Sequence, residues 1–233
     1  SELREAVTGL LTVKMRIGFD STIHFDRLLD LINLCQIDLL SLHGRTVKEG
    51  YHSAVHYDLI AHAVERVSCP VLANGNVTSA TSALSVLETT GAAGVMIGRA
   101  AIRNPWIFRQ VHQALRGQPV TPATLGDVRG YIERLRQTPT AATVREQARI
   151  NYLKMYLNFI GQSVDAAGGF LKEMRSARTE AELFAVCDRY LLSKPEAEFA
   201  LEPYPGLIAR PSCETSCDSD ETSCEVVQSR RAS

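Results

Sequence analysis

The sequence predicts an α/β fold followed by an all-helical unit, and three observations carry that prediction. Short apolar runs rich in β-formers alternate with segments of helical period through the first half. Strand signals stop near residue 121, and polar residues gather at one end of every predicted strand. Strict strand–helix alternation implies a parallel sheet, either an open doubly wound sheet or part of a closed barrel.

The first strand is LTVKMRIG (11–18), where period two sets Thr12, Lys14 and Arg16 on one face and Val13, Met15 and Ile17 on the other. HFDRLLDLINLCQ (24–36) has the helical period of a crossover, and IDLLSLHGR (37–45) is the second strand, ending on Ser41, His43 and Arg45. YDLIAHAVERV (57–67) is the next helix, and PVLANGN (70–76) the third strand, closing on Asn74, Gly75 and Asn76. TSATSALSVLETT (78–90) follows with Thr78 placed to cap it. AGVMIGRA (93–100) is the fourth strand and ends on Gly98 and Arg99. The helix after it, NPWIFRQVHQALRG (104–117), has Asn104 as cap, Pro105 at its first position and Gly117 as its stop. These elements make residues 1–120 a (βα)4 unit. LGDVRGYIERLRQ, TVREQARINYLKMYLNFIG, AAGGFLKEMRSA and EAELFAVCDRYLL all read as helices, so residues 121–200 form a helical domain. Residues 201–233 read as a disordered Cys-rich acidic tail.

Composition limits the function classes. With 45% hydrophobic residues in 233, the chain buries a core in one or two domains. No apolar run approaches the ~20 residues that span a bilayer, and SELREAV lacks a signal-peptide pattern, so a cytoplasmic protein without membrane contact is expected. The net charge of −1 places any nucleic-acid contact on a local patch. Cys35, Cys69 and Cys187 lie singly in periodic segments while Cys213, Cys217 and Cys224 sit in the tail, which implies neither a disulfide framework nor the paired spacing of a zinc site. No metal is expected.

The polar strand ends all lie at the carboxyl edge of the predicted sheet, the edge that carries active sites in α/β barrels. There Gly98 lets backbone N–H groups approach an anion and Arg99 forks onto its oxygens. Taken singly, each residue has an ordinary structural reading; four successive strands with polar groups at the same end are harder to assign to chance turns.

With VKMRIG, LHGRT, ANGNV, GVMIGRA and RNPWIF in this order and spacing, the chain resembles the tRNA-dihydrouridine synthases, most closely the bacterial type B-like branch. The resemblance covers roughly residues 8–195. It implies the C-terminal half of a TIM (β/α)8 barrel that binds FMN, followed by an all-helical tRNA-binding domain. The implied reaction is reduction of the C5–C6 double bond of uridine in tRNA, with NADPH as reductant. Carried over by position, Lys14 and His43 match flavin contacts, Asn74, Gly75 and Asn76 the loop by the cofactor, and Gly98 with Arg99 the phosphate clasp. Arg45 and Arg103 are read as holding the backbone of the extruded nucleotide.

The same resemblance implies a cysteine that protonates C5 from an earlier half of the barrel, so no residue of this chain is assigned as catalytic. A closed barrel needs eight strands where four are predicted, and the chain is expected to be a fragment, inactive alone, whose partner is its missing N-terminal half. Two alternatives stay open: another FMN- or phosphate-binding barrel oxidoreductase with a small-molecule substrate, and a noncatalytic tRNA-binding remnant.

Overall fold

The computed structural model describes residues 2–51, 53–138 and 145–207. A short helix α1 (Glu2–Ala6) precedes β1 (Thr12–Arg16), α2 (Phe25–Leu34), β2 (Leu39–His43), α3 (Tyr57–Arg66), β3 (Val71–Asn74), α4 (Ala80–Thr90) and β4 (Gly94–Met96). The four strands form one parallel sheet in the order β1-β2-β3-β4. Each strand feeds a helix whose apolar stripe returns to the sheet: Phe25, Leu29 and Ile32 of α2, Ile60 and Ala63 of α3, and Ala80, Ala83 and Val86 of α4 are buried. They cover Leu40, Leu42, Val71 and Ala73, and burying a side chain of leucine size contributes about 1.5–3 kcal/mol.

The strands are shorter than the apolar runs that signal them. β4 stops at Met96, and the residues read as its end instead open a separate one-turn helix, α5 (Arg99–Arg103), with Gly98 as its N-cap. A five-residue helix is too short to show a period. The cap of α4 is Ser79 rather than Thr78: its hydroxyl accepts from the Ser82 N–H, and the Ser82 hydroxyl answers the Ser79 N–H. Likewise α6 (Ile107–Leu115) starts two residues after Pro105, with Trp106 at its N-cap, while Gly117 takes the left-handed φ of +64° expected of a stop.

A second hydrophobic cluster runs from Ala123 to Phe199 and is built by α7 (Leu125–Arg136), α8 (Glu146–Ile160), a 3-10 turn (Gly161–Ser163), α9 (Gly169–Ser176) and α10 (Glu180–Leu191). Capping boxes at Thr124/Asp127 and Thr179/Glu182 fix the starts of α7 and α10. Gly161 lets α9 approach the end of α8, because a Cβ there would meet Leu171 Cγ and Phe170 Cδ1, each at 2.9 Å. Residues 201–207, which the sequence reading placed in the tail, are among the described residues. Phe199 is buried, and the Ala200, Leu201 and Glu202 carbonyls accept side-chain hydrogen bonds, so this stretch packs onto the protein. Cys213, Cys217 and Cys224 lie outside the described residues.

Leu3 of α1, Leu31 and Leu34 of α2, and Leu10, Phe19 and Ile23 in the segments before and after β1 are exposed. No helix among the described residues is long and apolar enough to cross a membrane.

Candidate active site

Register builds the site. Arg16 stands opposite His43, His43 opposite Asn74, and Asn74 opposite Met96, so the last residues of all four strands form one row across the sheet. Lys14 lies two residues before Arg16 on the same face. Its ammonium is 3.4 Å from Asn74 Oδ1, and Asn74 Nδ2 donates to the Met96 carbonyl at 2.8 Å, which fixes the amide across two strands.

The turn after β3 is strained in a useful way. Gly75 has φ +138° and Asn76 φ +47°, and a Cβ on Gly75 would lie 2.9 Å from both Val55 methyl groups. Only glycine fits there. Tyr57 Oη donates to the Gly75 carbonyl at 2.8 Å and holds the turn.

Above this row lies a cavity of about 480 Å³, within the range of small-molecule and cofactor sites. Lys14, Arg16, His43, Arg45, Arg99 and Tyr51 line one part of it. Phe159, Gln162 and Pro203 reach in from the helical part and close another wall. Nothing stands within 4 Å of where a Cβ on Gly98 would be, so a ligand has room beside that backbone, with Arg99 next to it. Cations and an open glycine together suit an anionic group, and the residues present therefore fit the phosphate of a flavin mononucleotide.

His43 registers the positive field. Burial first, then the charges of Arg16, Arg45, Lys14 and Arg99, push its imidazole down to about 4. At neutral pH the ring is uncharged and donates through one nitrogen only. The unfolded chain protonates this ring near 6.5 while the folded chain does not, so stability is present above about 6.5 and falls as the pH drops toward 4. The His43 ring resonances are expected not to titrate between about pH 8 and 5 in an NMR titration of the folded chain. An ordinary midpoint near 6.5 would show that the cations do not crowd it.

Lys14, His43, Asn74, Gly75, Asn76, Gly98 and Arg99 thus come together around one cavity. The two arginines read as nucleotide contacts stand differently. Arg45 is 1% exposed: its Nε donates to the Ser53 carbonyl at 2.8 Å, its Nη2 to the same oxygen, and its Nη1 to Asn76 Oδ1 at 3.2 Å. Arg103 is 2% exposed, with Nη1 on Ser163 Oγ (2.7 Å) and the Ala200 carbonyl (3.3 Å), and Nη2 on the Thr78 (2.5 Å) and Leu201 (2.9 Å) carbonyls. Both line the cavity, but those donors are spent on the protein itself. Arg45 clamps a loop and Arg103 ties the sheet unit to the helical part, while both still border the cavity.

The reading of residue types alone left Arg16 without a role and passed over Tyr51. Arg16 carried a usable signal, its place two residues from Lys14 on one strand face. Tyr51, Phe159, Gln162 and Pro203 carried none. Among the described residues no thiol lines the cavity. Cys35 caps the end of α2 and Cys69 precedes β3, both on the amino side of the sheet, while burial raises the Cys187 thiol to about 12.

The model of the family described as dihydrouridine synthase (Dus) matches residues 1–189. The chain is 32% identical over 184 residues to a probable tRNA-dihydrouridine synthase of Mycobacterium tuberculosis (strain H37Rv), covering 77% of this chain and 46% of that protein. It is 39% identical over 128 residues to tRNA-dihydrouridine synthase B of Pseudomonas putida, covering 53% of this chain and 38% of the relative. Against tRNA-dihydrouridine synthase B of Escherichia coli (strain K12) the identity is 37% over 131 residues, covering 55% and 41% respectively. The chain therefore spans less than half the length of these curated relatives.

Proposed function

Because the chain belongs to the dihydrouridine synthase family, we propose that it serves the FMN-dependent reduction of the C5–C6 double bond of uridine in tRNA, with NADPH as the electron source. The observation that carries this reading is the gathering of Lys14, Arg16 and Arg99 around one cavity at the carboxyl end of the sheet, with the open Gly98 backbone beside Arg99. When bound, the flavin supplies the hydride that reaches C6. Lys14 and Arg16 set a positive field along the strand face that favours an electron-rich ring, and charge stabilisation at such a preorganised site is commonly the largest catalytic term. His43, neutral at pH 7, holds a carbonyl or ring nitrogen by a single donated hydrogen bond. Gly98 and Arg99 take the phosphate. With no thiol on the cavity among the described residues, the proton for C5 is assigned to no residue of this chain.

We place the target uridine outside the tRNA stack, since a ring lying flat over a flavin must first be extruded. The helices of residues 121–200 are the proposed tRNA-facing part, and a cytoplasmic location follows from that substrate. The four strands are read as one arc of a (β/α)8 barrel, a view supported by their parallel, sequential order.

Quenching of flavin fluorescence on titration into the chain tests the cofactor assignment. FMN is expected to bind more tightly than riboflavin, which lacks the phosphate; equal affinities would show that Gly98 and Arg99 do not hold the phosphate. In the full reaction assembly, Lys14→Met is expected to slow dihydrouridine formation about tenfold, roughly 1.4 kcal/mol of barrier, with tRNA affinity little changed. Dihydrouridine measured by mass spectrometry beside a tRNA filter-binding assay checks this. A loss confined to tRNA binding would make Lys14 an RNA contact instead.

A further inference from the structure

Tyr51 stands at the mouth of the cavity with 52% of its surface exposed, on the loop between β2 and α3. Three charged residues are committed to fixing that loop. Arg16 Nη1 donates to the Thr46 carbonyl at 2.7 Å and the Gly50 carbonyl at 3.4 Å, just before Tyr51. Arg45 clamps the Ser53 carbonyl just after it. Glu49 brackets the whole span, accepting from the Thr46 N–H at 2.6 Å and meeting His56 Nε2 at 2.7 Å. A loop held on both sides of one residue sets the position of that residue's side chain.

Two of the site's cations and the His43 ring stand close to the ring it presents. The Arg99 guanidinium carbon lies 4.3 Å from the ring centroid and that of Arg16 5.7 Å, while the His43 ring is 6.2 Å away. We propose that Tyr51 is a positioning residue, whose ring face holds the Arg99 guanidinium at the cavity for an anionic ligand group. Arg16, Arg45, Lys14 and Arg99 line one cavity, and their mutual repulsion favours turning the exposed Arg99 side chain toward solvent. A cation within about 6 Å of an aromatic face is drawn to it, which opposes that drift. The inference rests on the anion-binding reading of the cavity.

Two measurements on the 233-residue chain test it. The first needs no ligand: the Arg99 side-chain Nε–H signal is expected to carry a ring-current shift that persists in Tyr51→Phe and vanishes in Tyr51→Leu. The second is FMN titration, in which Tyr51→Leu is expected to weaken binding ~3–10-fold and Tyr51→Phe to bind like the parent chain. If Tyr51 acts through Arg99, the double variant Tyr51→Leu/Arg99→Ala binds no more weakly than Arg99→Ala alone. An unshifted Arg99 signal in the parent chain, or additive losses in the double variant, would overturn the proposal. If the parent chain binds no FMN, the flavin reading fails, and the Arg99 signal still decides the role of Tyr51.

Discussion

Replacing Arg103 with leucine is expected to lower the unfolding free energy by about 3 kcal/mol, measured by chemical denaturation. Two effects oppose each other. Removing the guanidinium relieves the cost of burying a charge, a cost visible in the fall of its own pKa to about 10 through burial. Against that, the half-buried Thr78, Ala200 and Leu201 carbonyls lose their donor, at up to about 1–3 kcal/mol for each group left unmet. The Ser163 hydroxyl still donates to the Glu202 carbonyl and loses less. Three orphaned carbonyls outweigh one relieved charge, so the balance is destabilising. Because these partners lie on both sides of the junction, the variant is also expected to be cut faster by protease near residues 199–202. Arg103→Lys keeps the charge but not the planar fork, and should fall between the parent and Arg103→Leu. An unfolding curve for Arg103→Leu that overlays the parent's would show that the tie carries no stability.

That arginine also marks where sequence reading stops. Periodicity located the four strands and most of the helices, because a half-buried strand and an amphipathic helix each write their solvent boundary into the residue order. It overran the strand ends: AGVMIGRA continues apolar past Met96, although the backbone has already turned into α5 at Arg99. Arg16, His43 and Asn74 were legible as polar strand ends, since parallel register aligns residues at matching distances from the turns, whereas Met96, the apolar fourth member of the row, was not. The direction of a long side chain was not legible. Arg45, Arg99 and Arg103 are alike as letters, yet Arg45 and Arg103 are buried against backbone carbonyls and Arg99 borders the open Gly98 backbone. What separates them is which carbonyls the fold brings within reach, and those come from residues 8 to 98 positions away. Phe159, Gln162 and Pro203 enter the cavity for the same reason: their place depends on how the helical part docks, and no local pattern encodes that.

Arg99→Ala is expected to weaken FMN binding by about 1.5–3 kcal/mol, roughly 10- to 150-fold, in a fluorescence titration of the chain. The magnitude is that of a hydrogen bond to a charged group. It applies in full only if the guanidinium is already in place before the ligand arrives, and contact with the Tyr51 ring at 4.3 Å supplies that preorganisation. Arg16 and Lys14 remain in the variant, so a phosphate would still find a positive cavity and binding should not vanish. The loss should fall on the phosphate alone: riboflavin affinity stays near its parent value, and the preference for FMN over riboflavin collapses. Salt provides an independent check, because a contact that is mainly charge–charge weakens as ionic strength rises, and the parent chain should lose more FMN affinity with added salt than the variant does. Equal losses for FMN and riboflavin would place Arg99 on the ring system rather than the phosphate, and unchanged FMN affinity would remove it from the site.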